Sequence, residues 1–191
     1  MQPRAAPREY PFGEVSGWQL EPRELPPMEE TTQRFARVRR ATGVSADSAF
    51  IRGTGDLLIP AHTTASVLVD QGHTTIAYPV LETRGGADAR ITLTYAEALI
   101  DAQGQKGHRD SVSGRTMRGV HDVFLPSGTR NVFRPLWWRA FRYLQLDVVT
   151  GDSALRVHDF RGTFTAYPFA LRGQSYVLFI SSITYLKCYL P

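Results

Sequence analysis

The sequence predicts an all-β domain, an antiparallel jelly roll or β-sandwich. Short segments alternate apolar and polar residues with period two, and turn signals such as "RGGADA", "DAQGQKG", "PSGTR" and "TGDS" separate them. No stretch sustains the 3.6-residue period that the crossover helices of a βαβ fold require.

Taken in order, residues 1–30 are rich in Pro, Arg and Glu without periodicity and read as an extended lead-in. The densest basic cluster, "RFARVRR" at 34–40, reads as a solvated face or loop. From residue 57 the pattern is β. "ASVLVD" places Ala65, Val67 and Val69 on one side, and "TTIAYPV" places Ile76, Tyr78 and Val80 together, with Pro79 marking an edge or strand end. "ITLTYAEAL" sets Ile91, Leu93, Tyr95, Glu97 and Leu99 against small and polar residues. "FRYLQLDVV" sets Arg142 beside Leu144, Leu146 and Val148, and "ALRVHDF" and "GTFTAYPF" supply two more short strands. The polar, glycine-rich segment 100–122 is too long for a hairpin turn, and loops of that length in compact domains carry function or are disordered. The expected division is an arm with the first strands over 1–56, a sandwich over 57–169 and an apolar tail over 170–191.

Composition bounds the function. With 22 Lys and Arg against 18 Asp and Glu the net charge is +4, and the basic residues are spread along the chain, so no nucleic-acid partner is expected. No apolar run reaches the ~20 residues that span a bilayer, and the N-terminus shows no signal-peptide core; no membrane partner and a cytoplasmic location are expected. A lone cysteine, Cys188, excludes an intrachain disulfide. The histidines His62, His73, His108, His121 and His158 lack metal-ligand spacing, and Asp101, Asp110 and Asp122 lack that of a calcium loop, so neither metal nor cofactor is expected. Phosphate-binding loops and a serine-nucleophile elbow are missing. Glu97, Asp101, Asp110 and Asp122 offer carboxylates, but nothing marks two of them as a glycosidase pair, so no catalytic residue is assigned.

Two charges on apolar faces demand explanation. Arg142 and Glu97 each share a side with core residues, and an unpaired charge inside a sandwich is very costly. Pairing with each other is the economical solution; exposed strand ends or a functional site are the alternatives.

Five segments taken together, "LVDQGHTTIAYP", "GGADARITLTYAEALIDAQGQKGHRD", "GRTMRGVHDVFLPSGT", "FRPLWWRAFRYLQLDVVTGD" and "FTAYPF", resemble bacterial α-L-rhamnosidases of glycoside hydrolase family 78. The similarity runs over roughly residues 15–169, in the same order throughout. It lies in the β-sandwich module, concanavalin-like or galactose-binding-like, that precedes the catalytic barrel. The resemblance implies that hydrolysis of terminal α-L-rhamnose, with inversion, belongs to an (α/α)₆ barrel, none of whose helical repeat lies within these 191 residues. It therefore implies a non-catalytic role, supporting a separate catalytic barrel or presenting a rhamnose-containing carbohydrate; a stand-alone carbohydrate-binding module is the alternative. Trp137 and Trp138 point to opposite faces if their segment is extended, one into the core and one outward. They form, with Arg139, Asp110, Arg115 and Asp122, the candidate carbohydrate-binding or domain-interface set.

Overall fold

A computed structural model describes residues 22 and 24–169 and two further strands, Ser175–Leu178 and Tyr185–Cys188. Residues Met28–Phe169 form one compact unit. In chain order it holds β1 (Glu29–Gln33), β2 (Arg37–Thr42), the single-turn helix α1 (Ala49–Arg52), β3 (Leu57–Ile59) and β4 (Thr64–Gly85). There follow β5 (Arg90–Ala96), β6 (His121–Phe124), β7 (Arg130–Phe133), β8 (Arg139–Val149) and β9 (Leu155–Ala166). The last two strands, β10 (Ser175–Leu178) and β11 (Tyr185–Cys188), pair antiparallel with each other and belong to a separate unit. Of the expected lead-in over residues 1–30, residues 1–21 and 23 lie outside the described residues, and Glu29 already opens β1.

The unit is a β-sandwich, and β4 makes it so. Thr64–Asp70 lies between β2 and β8, while Ala77–Gly85 lies between β9 on one side and β8 then β7 on the other. One strand thus serves both layers, which is why nine strands join in a single antiparallel network. The first layer runs β2–β4–β8–β5–β6; in the second, β1 and β3 share the outer edge of β9. The core between them takes Ala65, Val67, Val69, Ile91, Leu93, Tyr95, Leu144, Leu146 and Val148 from one layer. Leu57, Ile59, Leu81, Leu155, Val157 and Phe160 come from the other.

β4 changes layer at Gln71–Thr74, where its register with β8 slips: Asp70 faces Tyr143, and the next partners are Thr75 and Phe141. Gly72 turns this elbow at φ +90°, a left-handed conformation that glycine adopts at little cost. The four elbow residues preserve the side-chain phase, so odd positions stay inward as at Val67 and Val69. Ala77 and Leu81 therefore face the core, while Ile76 is exposed, a correction to the expected Ile76, Tyr78 and Val80 face. Pro79 sits opposite Gly162 of β9, between the ends of the β8 and β7 ladders, where β4 has a partner on one side only.

"RFARVRR" is structural rather than a solvated loop: Phe35 is buried in the core against Phe160, and β2 begins at Arg37. The long segment after β5 is held down by bridges from Ile100 to Lys106 and Thr116. Its Val112 and Met117 cover a small apolar cluster of Leu68, Leu99 and Tyr143 on the outer face of the first layer.

Arg142 is buried, but not against Glu97. Its Nε donates to Asp70 Oδ1 at 3.1 Å and its Nη2 meets Asp110 Oδ1 at 2.5 Å. Glu97 is exposed because β5 ends at Ala96 and the chain bends away, so the alternation that placed it inside stops one residue short. Nor does Arg142 share the face of Leu144. Phe141 and Leu144, three apart, both reach the main core, and Tyr143, whose hydroxyl donates to the Arg109 carbonyl at 2.6 Å, faces the covering loop as the Asp110-bound Arg142 does.

Asp70 has no exposed surface. It also accepts from the Gly72 N–H at 2.8 Å and from Arg37 Nε at 3.3 Å. Burial alone would push this carboxyl up; donation from Arg142, Gly72 and Arg37 outweighs it and holds the carboxyl below its ordinary range. Asp70→Asn leaves Arg142 without its buried counter-charge and is expected to cost ~3–5 kcal/mol in urea unfolding, whereas Glu97→Gln stays within about 0.5 kcal/mol. The sign with pH follows from the depressed carboxyl. Its contribution is complete above the unfolded value near 4 and is lost as pH falls below that, so wild-type stability drops more steeply there than that of Asp70→Asn.

Candidate functional site

The chain leaves β7 at Phe133, buries Pro135, turns at Leu136 and Trp137, and enters β8 at Arg139. Leu136 is 97 % exposed and Trp137 60 %. Because the segment is bent rather than extended, the two tryptophans do not diverge to opposite faces: their rings meet at 5.3 Å and 34°. Arg139 fixes the bend. Its Nε and Nη2 donate to the two carboxylate oxygens of Asp122 at 3.1 and 2.5 Å, and its Nη1 donates to the carbonyls of Trp137 and Trp138 at 3.4 Å.

Asp122 accepts a further bond from the Tyr95 hydroxyl at 2.9 Å. Burial and the Asp122 charge push the Tyr95 phenol far above its ordinary value, so it stays a donor. Gly119 lets the strand carrying Asp122 approach, since a Cβ there would lie 1.8 Å from the Tyr95 carbonyl oxygen. Arg139 and Asp122 are thus consumed by each other, and their work is to present the tryptophans.

Trp138 forms part of a groove of about 500 Å³ with predominantly apolar walls. Met28, Ile76, Phe164 and Tyr167 complete its apolar lining, with His73, Thr75 and Thr165 as its polar members. The elbow of β4 supplies His73 and Thr75. Gln33 bridges them: its amide lies 3.2 Å from His73 Nε2 and its carbonyl accepts from Thr75 Oγ1 at 2.8 Å. Thr165 is 2 % exposed, and its Oγ1 has no hydrogen-bond partner among the described residues. Leaving a buried hydroxyl unpaired costs ~1–3 kcal/mol.

Asp110 and Arg115 are not brought to this groove. Asp110 pairs with Arg142, and Arg115 donates to the Gln105 carbonyl at 3.3 Å. Asp101 accepts from the backbone of Gln103 and Gln105 and so closes its own turn. Another open groove, of about 620 Å³, is lined by Glu82 and Arg130, which pair with each other, and by His158, which lies 2.8 Å from Asp56. Among the described residues no group of three or more His, Cys, Asp or Glu side chains comes together.

No protein-family model matches the chain, and no curated protein is significantly similar to it. Solved structures are. The fold resembles part of a bacterial rhamnosidase. The family 78 rhamnosidase of Bacillus sp. GL1 aligns with a TM-score of 0.52 at 16 % identity, over 70 % of this chain and 14 % of its own. A Klebsiella oxytoca rhamnosidase with rhamnose bound aligns at 0.47 and 17 % identity, over 78 % of this chain and 31 % of its own. Chitosan-binding module 1 of a Paenibacillus sp. IK-5 chitosanase/glucanase gives 0.43 and 14 %, over 71 % and 93 %. The chain therefore spans less than a third of either rhamnosidase, and at these identities the likeness establishes the β-sandwich and nothing finer.

Of this groove's lining the sequence singles out Trp138 but not His73, Thr75, Phe164, Thr165 or Tyr167. The aromatic run "FTAYPF" carried part of the signal: Tyr167 and Phe169 lie 4.8 Å apart, and Phe169 is exposed. The rest depends on the β4 elbow, which no local period reveals. Asp122→Asn removes the charge that holds Arg139. It should cost ~1–3 kcal/mol and shift tryptophan emission as the bend relaxes, both read in one thermal melt followed by fluorescence.

Proposed function

We propose that this chain is a non-catalytic β-sandwich module of an α-L-rhamnosidase-like glycoside hydrolase, and that it presents rhamnose-containing carbohydrate in the Trp138 groove. The observation that carries the reading is the union of an aromatic platform and apolar walls with a few polar side chains in one groove. Sugar recognition asks for those parts: a ring on which the C–H face of a pyranose stacks, and a few fixed polar groups for its hydroxyls. Trp138 supplies the ring. His73 and Thr75 supply hydrogen-bonding groups, and Met28 and Ile76 suit the methyl of a 6-deoxy sugar. The sequence resemblance to family 78 rhamnosidases and the similarity of fold support the hydrolase context.

A second reading makes the bend a contact for a separate catalytic barrel. The exposure of Leu136 and Trp137 favours it, since apolar groups fully open to water are what an interface covers. The two readings use adjacent side chains and separate by variant: Trp138 belongs to the groove, Leu136 does not.

Tryptophan fluorescence titrated with L-rhamnose and methyl α-L-rhamnoside should saturate. Trp138→Ala should weaken binding about tenfold or more, as loss of a central aromatic anchor does, and Leu136→Ser should leave it unchanged. The purified chain should release no aglycone from an aryl rhamnoside. A flat titration with every rhamnoside, or measurable turnover, would overturn the proposal.

A further inference from the structure

A groove of about 570 Å³, sharing no lining residue with the first, lies between β2 and the covering loop. Its lining is Arg37, Val38, Arg39 and Arg40 from β2 and Val112, Ser113 and Gly114 from the loop. A regular strand would send Arg39 and Arg40 to opposite faces. Here the register with β4 slips: Val38 pairs with Val69 and Arg40 with Leu68, leaving Arg39 as the extra residue. The bulge is what lets all three arginines line one groove.

Their charge is not balanced locally. Arg37, Arg39 and Arg142 all lie against Asp70, and Arg142 also takes Asp110. Among the described residues Arg40 meets only the Arg115 carbonyl, at 3.1 Å, and Arg39 adds a long bond to the Asp110 carbonyl at 3.5 Å. Three guanidiniums therefore share two carboxylates, and Arg40 adds a fourth positive charge on a carbonyl. Each guanidinium carries five N–H donors in a fork that matches a planar oxyanion, and Arg39 and Arg40 keep most of theirs. Val112 adds apolar surface beside the forks, which a bare inorganic ion would not use but the C–H face of a sugar ring would.

We propose that this groove is an oxyanion site that takes the carboxylate of a uronic acid residue. The charge requirement stands on the arginines alone, and only the choice of a saccharide rests on the carbohydrate reading above. Together the two grooves would read a glycan with a neutral deoxy sugar and an acidic sugar at separate positions.

The test is a ¹H–¹⁵N correlation titration of the full chain with sodium glucuronate, glucose and sodium sulfate at matched ionic strength. Glucuronate should shift amides of β2 and of residues 112–114, more strongly than sulfate, and glucose should leave them in place. Arg39→Gln and Arg40→Gln should each weaken glucuronate about tenfold, the scale of a lost charge-assisted hydrogen bond. Arg40 is exposed and bonds only a carbonyl, so its variant keeps the fold, which a thermal melt verifies. Raising salt on the wild type should weaken binding without any mutation. Absence of amide shifts, equal shifts by sulfate, or equal shifts by glucose would each overturn the proposal. Tryptophan emission with rhamnosides reports the other groove, so failure there is read apart from failure here.

Discussion

The structure depends on one buried carboxylate. Asp70 closes the first half of β4 at the point where the strand must leave one layer and enter the other, and such an elbow breaks the ladder that would otherwise satisfy its backbone. Asp70 repairs it with both ends of the residue. Its carbonyl accepts from Ala36 N–H at 2.9 Å, and its side chain accepts from Gly72 N–H inside the elbow. The charge that makes these bonds strong is expensive to bury, and Arg142 on the neighbouring strand offsets it. Through Arg142 the same charge reaches Asp110, so the long loop is tied to the sheet beneath it. A single ion-pair network thereby sets the layer crossing, the approach of β2 and the cover over Tyr143.

Both grooves inherit their geometry from that network. The elbow residues past Asp70 include His73 and lead to Thr75, which with Gln33 make the polar wall of the Trp138 groove. On its other side Asp70 gathers Arg37 and Arg39, which line the basic groove. Three residues before Arg142 on β8, Arg139 binds Asp122 and holds the tryptophan bend. The arginines of β8 act as girders, and ligand recognition falls to the side chains they position.

The fold was legible because a sandwich is written in short periods. Val67, Val69, Ile91, Leu93, Leu144 and Leu146 all occupy the core that alternation assigned them. The errors sit where the period breaks. Arg142 did need a buried acid, but the acid is Asp70, the last residue of "ASVLVD", which reads as a polar strand end. Glu97 was a false partner because β5 stops at Ala96. Ile76 lies outside because the phase of Val67 and Val69 runs through the elbow to Ala77 and Leu81, which the short window "TTIAYPV" does not show. Trp137 and Trp138 were separated on paper by a strand geometry that the bend at Leu136 abolishes. Each miss comes from outside the local window: a strand end at Ala96, a phase carried through the elbow of β4 and a bend at Leu136.

The placement of charge also narrows what each groove recognises. Had Arg139 and Asp122 been free beside Trp138, the first groove would discriminate by charge. They are bonded to each other and to Tyr95, leaving hydroxyls, an imidazole and apolar carbon to face a ligand. Such a set favours a neutral ring with an apolar face, because burying an ionised group against it would leave that charge uncompensated. The uncompensated positive charge lies instead with Arg39 and Arg40. An acidic ring is disfavoured in the first groove and drawn to the second, so the division of labour follows from which arginines the fold has already spent.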